Sequence, residues 1–81
     1  MIPTWIKILE YASKPLHGTM SRKLRKGVRL QINNEGIYEN AVIFIGEKFI
    51  RLTQTETPEG NINSYYDLNH ITAMKTYSKP E

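Results

Sequence analysis

The chain has no cysteine, so no disulfide braces it, and its two histidines, His17 and His70, are too few for a structural zinc site. No apolar run approaches the ~20 residues that a membrane span needs. The opening residues do not read as a signal peptide, because Lys7 and Glu10 interrupt the apolar stretch and no small-residue cleavage site follows. These absences lead to the expectation of a soluble, cytoplasmic protein with no cofactor, no metal and no membrane partner. Internal repeats and low-complexity segments are missing too. For 81 residues one domain is expected, and a domain of that size buries only about 60–65% of its unfolded surface. Without a disulfide or a metal, self-association is the remaining common way to add core.

Acidic residues are scarce early in the chain. Residues 1–26 hold Lys7, Lys14, Arg22, Lys23, Arg25 and Lys26 against Glu10, a net of +5; residues 27–81 stand at −2, and the whole chain at +3. Four of those six cations crowd into residues 21–26. A concentrated basic segment on a near-neutral body fits an anionic partner, nucleic acid before membrane, or else a solvated turn that serves solubility.

What is present organises around residues 36–52. This stretch holds the longest apolar run, residues 41–45, then a Gly46-Glu47-Lys48 turn, then Phe49-Ile50-Arg51-Leu52. Two strands at a tight turn is the simplest reading. In the first half Ile37 and Ala41 face one way, and Tyr38 and Asn40 the other. The second half is apolar on both faces, which predicts a long, bent strand shared by two sheets of a small barrel. Ahead of it, Thr4 caps a helix whose Trp5, Ile8, Leu9 and Ala12 form one apolar face, and Pro15 stops it. Residues 16–19 read as linker, and residues 21–26 as a helical turn or an extended lead-in. Residues 28–32 alternate as a strand, with a turn at 33–36. A loop is expected at 55–61, where no apolar residue occurs, followed by strands at 62–68 and 70–77 with a short turn at 67–69. The predicted fold is mainly β: a five-stranded, bent, antiparallel SH3-like barrel with an N-terminal α-helix. Residues 1–81 are read as one Sm-like domain, divided into helix and basic lead-in (1–26), barrel (27–77) and tail (78–81).

The order of these parts resembles the Sm-like (Lsm) family, and most of all its bacterial Hfq branch. Gly36-Ile37 resembles the start of the Hfq second strand. The run from Val42 through Gly46-Glu47-Lys48-Phe49 to Leu52 resembles the family's strand, acidic turn, aromatic, strand pattern. Asn69-His70-Ile71-Thr72 resembles the opening of the Hfq last strand. The resemblance covers about residues 27–77. It departs in a longer loop between the third and fourth strands, and in Leu68-Asn69 where Hfq has Tyr-Lys. The archaeal and eukaryotic Sm signatures are absent.

The resemblance implies a closed homo-oligomeric ring that binds single-stranded RNA. The fourth strand of one subunit would pair with the fifth of the next, through Ile62, Ser64, Tyr65 and Tyr66 on one and Ile71, Ala73 and Met74 on the other. Residues 62–66 carry no charge or proline, and 71–76 carry only Lys75, so neither edge has the usual blockers. Gly46, Glu47, Lys48, Phe49, Asn69 and His70 would line the pore. Phe49 is either core or a base-stacking ring, and His70 either structural or an RNA contact. Arg22, Lys23, Arg25 and Lys26 would guide the RNA backbone. A second surface around Ile37, Tyr38 and Asn40 matches the opposite-face site of Hfq by position only.

Three rivals stand beside this reading. Asp67 and His70 with Ser13, Ser21, Ser64 or Ser78 contain parts of a hydrolytic triad, but no serine sits on a sharp elbow, and no enzyme is expected. An SH3-like interaction module could bind peptides through Trp5, Tyr65, Tyr66 and Tyr77. A phage-type accessory protein could keep the ring without binding RNA.

Overall fold

The computed structural model describes residues 3–79. It is mainly β, with one N-terminal helix and two antiparallel sheets. Helix α1, Pro3–Ala12, starts one residue before the expected cap at Thr4. Proline is well suited to that first turn, where its missing amide hydrogen costs no helical bond. Leu9 and Ala12 are buried, and Trp5 packs on the core beside them.

The helix ends at Ala12, well short of Pro15. Its last four carbonyls all find donors, which is what a helix end requires when no glycine cap follows. Leu9 accepts from the Ser13 hydroxyl, and Glu10 from the Arg22 guanidinium at 3.3 Å. Tyr11 accepts from the Arg25 side chain at 2.9 Å, and Ala12 from the Arg25 amide at 2.9 Å. Arg22 also donates to the Ser13 hydroxyl at 2.8 Å. Two cations of the basic segment therefore complete the negative end of the helix.

The chain then enters a hairpin that the sequence reading did not contain. Strand β1, Ser13–Pro15, pairs with β2, Ser21–Leu24, across the loop at 16–20. The segment 21–26 is thus extended over its first four residues, not helical. Strands β3, Arg29–Ile32, and β4, Ile37–Glu39, follow, joined by the turn expected at 33–36.

The long strand expected over 36–45 is divided. After β4 the chain kinks at Asn40, whose φ of 57° is left-handed, and resumes as β5, Val42–Ile45. The kink shifts the alternation. Tyr38 and Ala41 are buried while Ile37 is 45% exposed, so Ile37 and Ala41 do not share a face. Strand β4 pairs with β3, and β5 pairs with β2 and β6, which puts the two halves in different sheets.

Strand β6, Phe49–Thr57, and β7, Gly60–Asp67, form a hairpin with a turn at Pro58 and Glu59. The exposed loop expected at 55–61 is mostly strand, carried past a bulge between Gln54 and Thr57. A 3-10 turn, Leu68–His70, then leads to β8, Met74–Tyr77. The strand expected from 70 begins only at 74. Asn33 takes the place of the missing ladder. Its carboxamide oxygen accepts from the amides of Thr72 at 2.7 Å and Ala73 at 3.3 Å, and its NH2 donates to the His70 carbonyl at 3.0 Å.

The sheets are ordered β1-β2-β5-β6-β7 and β4-β3-β8. Eight strands stand where five were expected, and no strand pairing closes the two sheets into a barrel among the described residues. One core cluster, with Leu9, Leu30, Ile32, Ile43, Ile50, Leu52 and Leu68, joins the helix to both sheets.

Candidate functional site

The turn between β5 and β6 is closed by the Gly46 amide, which donates to the Phe49 carbonyl at 2.8 Å. A Cβ on Gly46 would lie 2.9 Å from the Phe49 ring and 3.1 Å from the Phe49 carbonyl oxygen. The turn closes this tightly because position 46 carries no side chain. Glu47 and Lys48 are exposed at its tip.

The 3-10 turn lies against this one. The Leu68 amide donates to the Lys48 carbonyl at 2.9 Å, and Phe49 pairs with Asp67 in register. Asp67 caps the 3-10 turn by accepting from the Asn69 amide at 2.8 Å, and its other carboxylate oxygen lies 3.8 Å from His70 Nδ1. Both Asn69 and His70 are exposed. The six residues read as a pore lining thus fall on two adjoining segments at one end of the five-stranded sheet.

Phe49 is not core. It is 40% exposed on the outer face of β6, whose Ile50 and Leu52 point inward. Its ring lies 6.0 Å from Phe44 and 6.2 Å from Tyr65, which is 63% exposed. Phe44, Arg51 and Tyr65 are successive cross-strand partners on β5, β6 and β7. The Arg51 guanidinium sits 5.3 Å from the Phe44 ring, within cation–π range, and its Nε is buried without a hydrogen-bond partner. Three rings and one arginine therefore make a continuous outer row.

Sequence reasoning had Phe49 in doubt, used Tyr65 as an interface residue or part of a peptide groove, and missed Phe44 and Arg51. The signal was present, since Phe49 and Arg51 are two apart and flank the inward Ile50.

No family model matches this chain, and no curated protein and no solved structure does either.

The other residues singled out earlier are scattered. Arg22 and Arg25 donate to the end of α1, whereas Lys23 and Lys26 are exposed. Ile62, Ser64, Tyr65 and Tyr66 lie on β7, an outer strand of its sheet, and Met74 on β8, an outer strand of the other. Ile71 and Ala73 precede β8 and are not in a strand. Ile37, Tyr38 and Asn40 do not form one surface, because Tyr38 is buried.

Tyr66 turns inward and its hydroxyl meets that of Tyr38 at 2.6 Å. Burial, then the bond to Tyr38, then the charge of Glu35 push the Tyr66 hydroxyl well above the usual tyrosine range. Tyr77 donates to the Gln31 carboxamide at 2.9 Å, and Trp5 packs on the core. Of the four aromatics read as a peptide groove, Tyr65 alone is an exposed ring. No helix among the described residues is long and apolar enough to cross a membrane.

Proposed function

We propose that this chain is an Sm-like, SH3-like barrel protein of the cytoplasm that assembles into a closed homo-oligomeric ring and binds single-stranded RNA. The observation that carries the reading is the row of Phe44, Phe49 and Tyr65 around Arg51, beside the exposed Lys48, Asn69 and His70. Rings stack bases at about 1–3 kcal/mol per base without regard to sequence. An exposed amide or imidazole can hydrogen-bond a base edge or a 2′-hydroxyl, and a lysine holds phosphate.

The topology supports the barrel. A strand divided between two sheets, a long hairpin, a 3-10 turn and a return strand beside β3 is the SH3-like order, to which the β1–β2 hairpin is an addition. The edges support the ring. Edge strand β1 carries Lys14 and Pro15, and β4 is short and carries Glu39, whereas β7 has no charge or proline before Asp67. Backbone pairing along β7 would leave the face that bears Tyr65 open, so one strand can serve both the interface and the RNA site. A head-to-tail contact of this kind makes a ring where its rotation closes, and each weak contact is then multiplied around it.

A peptide-binding module has less support, because three of the four aromatics it needs, Trp5, Tyr66 and Tyr77, are engaged elsewhere. The test is fluorescence anisotropy with a short oligouridine. Lys48→Gln combined with His70→Ala should weaken binding about tenfold or more; unchanged affinity would move the site elsewhere.

A further inference from the structure

Four of the basic side chains of residues 1–26 gather at a place the aromatic row does not use. Lys14, Lys23, Arg25 and Lys26 line a groove of about 490 Å³, together with Pro15, Leu16, Leu24 and Asn40. Lys14 and Lys23 are direct cross-strand partners, an arrangement in which like charges repel. Among the described residues no carboxylate lies within ion-pair distance of any of the four. The kink that exposes Asn40 brings a carboxamide donor to the rim, and the Leu24 amide ties the kink to β2 through the Ala41 carbonyl at 3.0 Å.

The groove's Lys23 and the aromatic row share one face of the five-stranded sheet. Lys23 pairs with Val42, which is two residues from Phe44 on the same face of β5. We propose that this groove holds the phosphate backbone of a single-stranded nucleic acid whose bases reach the Phe44, Phe49 and Tyr65 rings. This rests on the RNA reading above and extends it to a second subsite. The concave shape suits a strand better than a flat bilayer. Lys14, Lys23 and Lys26 form the backbone-binding set, because Arg22 and Arg25 both donate to the helix end.

The experiment compares two probes on the full chain across a salt series: an abasic oligomer of roughly a dozen sugar phosphates, and an oligouridine of the same length. The wild type should bind both, the oligouridine more tightly. The variant Lys14→Gln/Lys23→Gln/Lys26→Gln should lose the abasic oligomer, and its log-affinity versus log-salt slope for oligouridine should fall in magnitude by about 2. The variant Phe49→Leu/Tyr65→Leu should keep the abasic oligomer and lose the extra affinity of the bases.

No wild-type binding of the abasic oligomer would overturn the groove. So would a lysine variant with unchanged slope, even with oligouridine still bound. Lysine-dependent abasic binding with no gain from bases would leave the groove standing and remove the aromatic reading. Lysine-dependent binding to phosphatidylserine vesicles without abasic binding would overturn the nucleic-acid assignment in favour of a membrane surface. Equal or higher thermal stability of the lysine variant confirms that it folds, since the substitutions relieve repulsion.

Discussion

The hydroxyl of Tyr38 on β4 lies 2.6 Å from the hydroxyl of Tyr66 on β7, and this hydrogen bond spans the two sheets. The rings meet edge to face at 86°, with centroids 6.3 Å apart. Replacing either residue by phenylalanine keeps the rings and leaves the partner hydroxyl without its bond. Tyr38→Phe and Tyr66→Phe should each cost about 1 kcal/mol in chemical denaturation. The double variant should cost less than the sum of the two, because both singles lose one shared bond. Strict additivity would show that the bond contributes nothing.

The same pair predicts an alkaline loss of stability. The folded state holds the Tyr66 proton more tightly than an unfolded tyrosine, which ionises near pH 10. The stabilisation is complete below that pH. It is lost as pH rises above it toward the higher folded value, because only the unfolded chain gains by releasing the proton. Denaturation midpoints of the wild type should therefore fall more steeply above about pH 10 than those of Tyr66→Phe. Parallel curves would contradict this.

Asn33 should be the turn residue least tolerant of change. It holds a φ of 56° and binds the backbone at His70, Thr72 and Ala73. Asn33→Gly keeps the backbone conformation and removes the carboxamide, so its cost isolates the side-chain bonds at about 1–3 kcal/mol. Asn33→Ala adds left-handed strain and should cost more. Amide hydrogen exchange should show Thr72 and Ala73 losing protection in both variants; retained protection would contradict this account.

The Phe49 ring should respond to position 46. Gly46→Ala places a methyl 2.9 Å from the ring, which must move. Stability should fall by about 1–3 kcal/mol, and oligouridine binding should weaken as the row with Phe44 and Tyr65 is disturbed. Tyr65→Leu, at an exposed position, should weaken binding with little change in stability. A Gly46→Ala variant that binds like the wild type would remove Phe49 from the site.

The mainly β class, the helix, β3, the β5–β6 turn and β7 were legible because apolar periodicity and turn residues mark them. The division between β4 and β5 was legible only as a bend. Ile37 and Ala41 sit at an even spacing that suits a straight strand, and the left-handed Asn40 that breaks the phase carries no apolar signature. The β1–β2 hairpin was hidden because Ser-Lys-Pro offers no hydrophobic pattern and is fixed by its neighbours. Residues 55–61 read as loop for the same reason, although a polar strand can extend a hairpin once the register is set. Arg22 and Arg25 looked like free charge, since a helix end that needs donors is invisible until its position is known.

The central claim is tested most directly by light scattering on a size-exclusion column, run with and without single-stranded RNA. The account predicts a mass several times the 9.4 kDa of one chain, and co-elution with RNA at low salt that is lost as salt rises. A 9.4 kDa monomer that leaves RNA unshifted at low salt would contradict it.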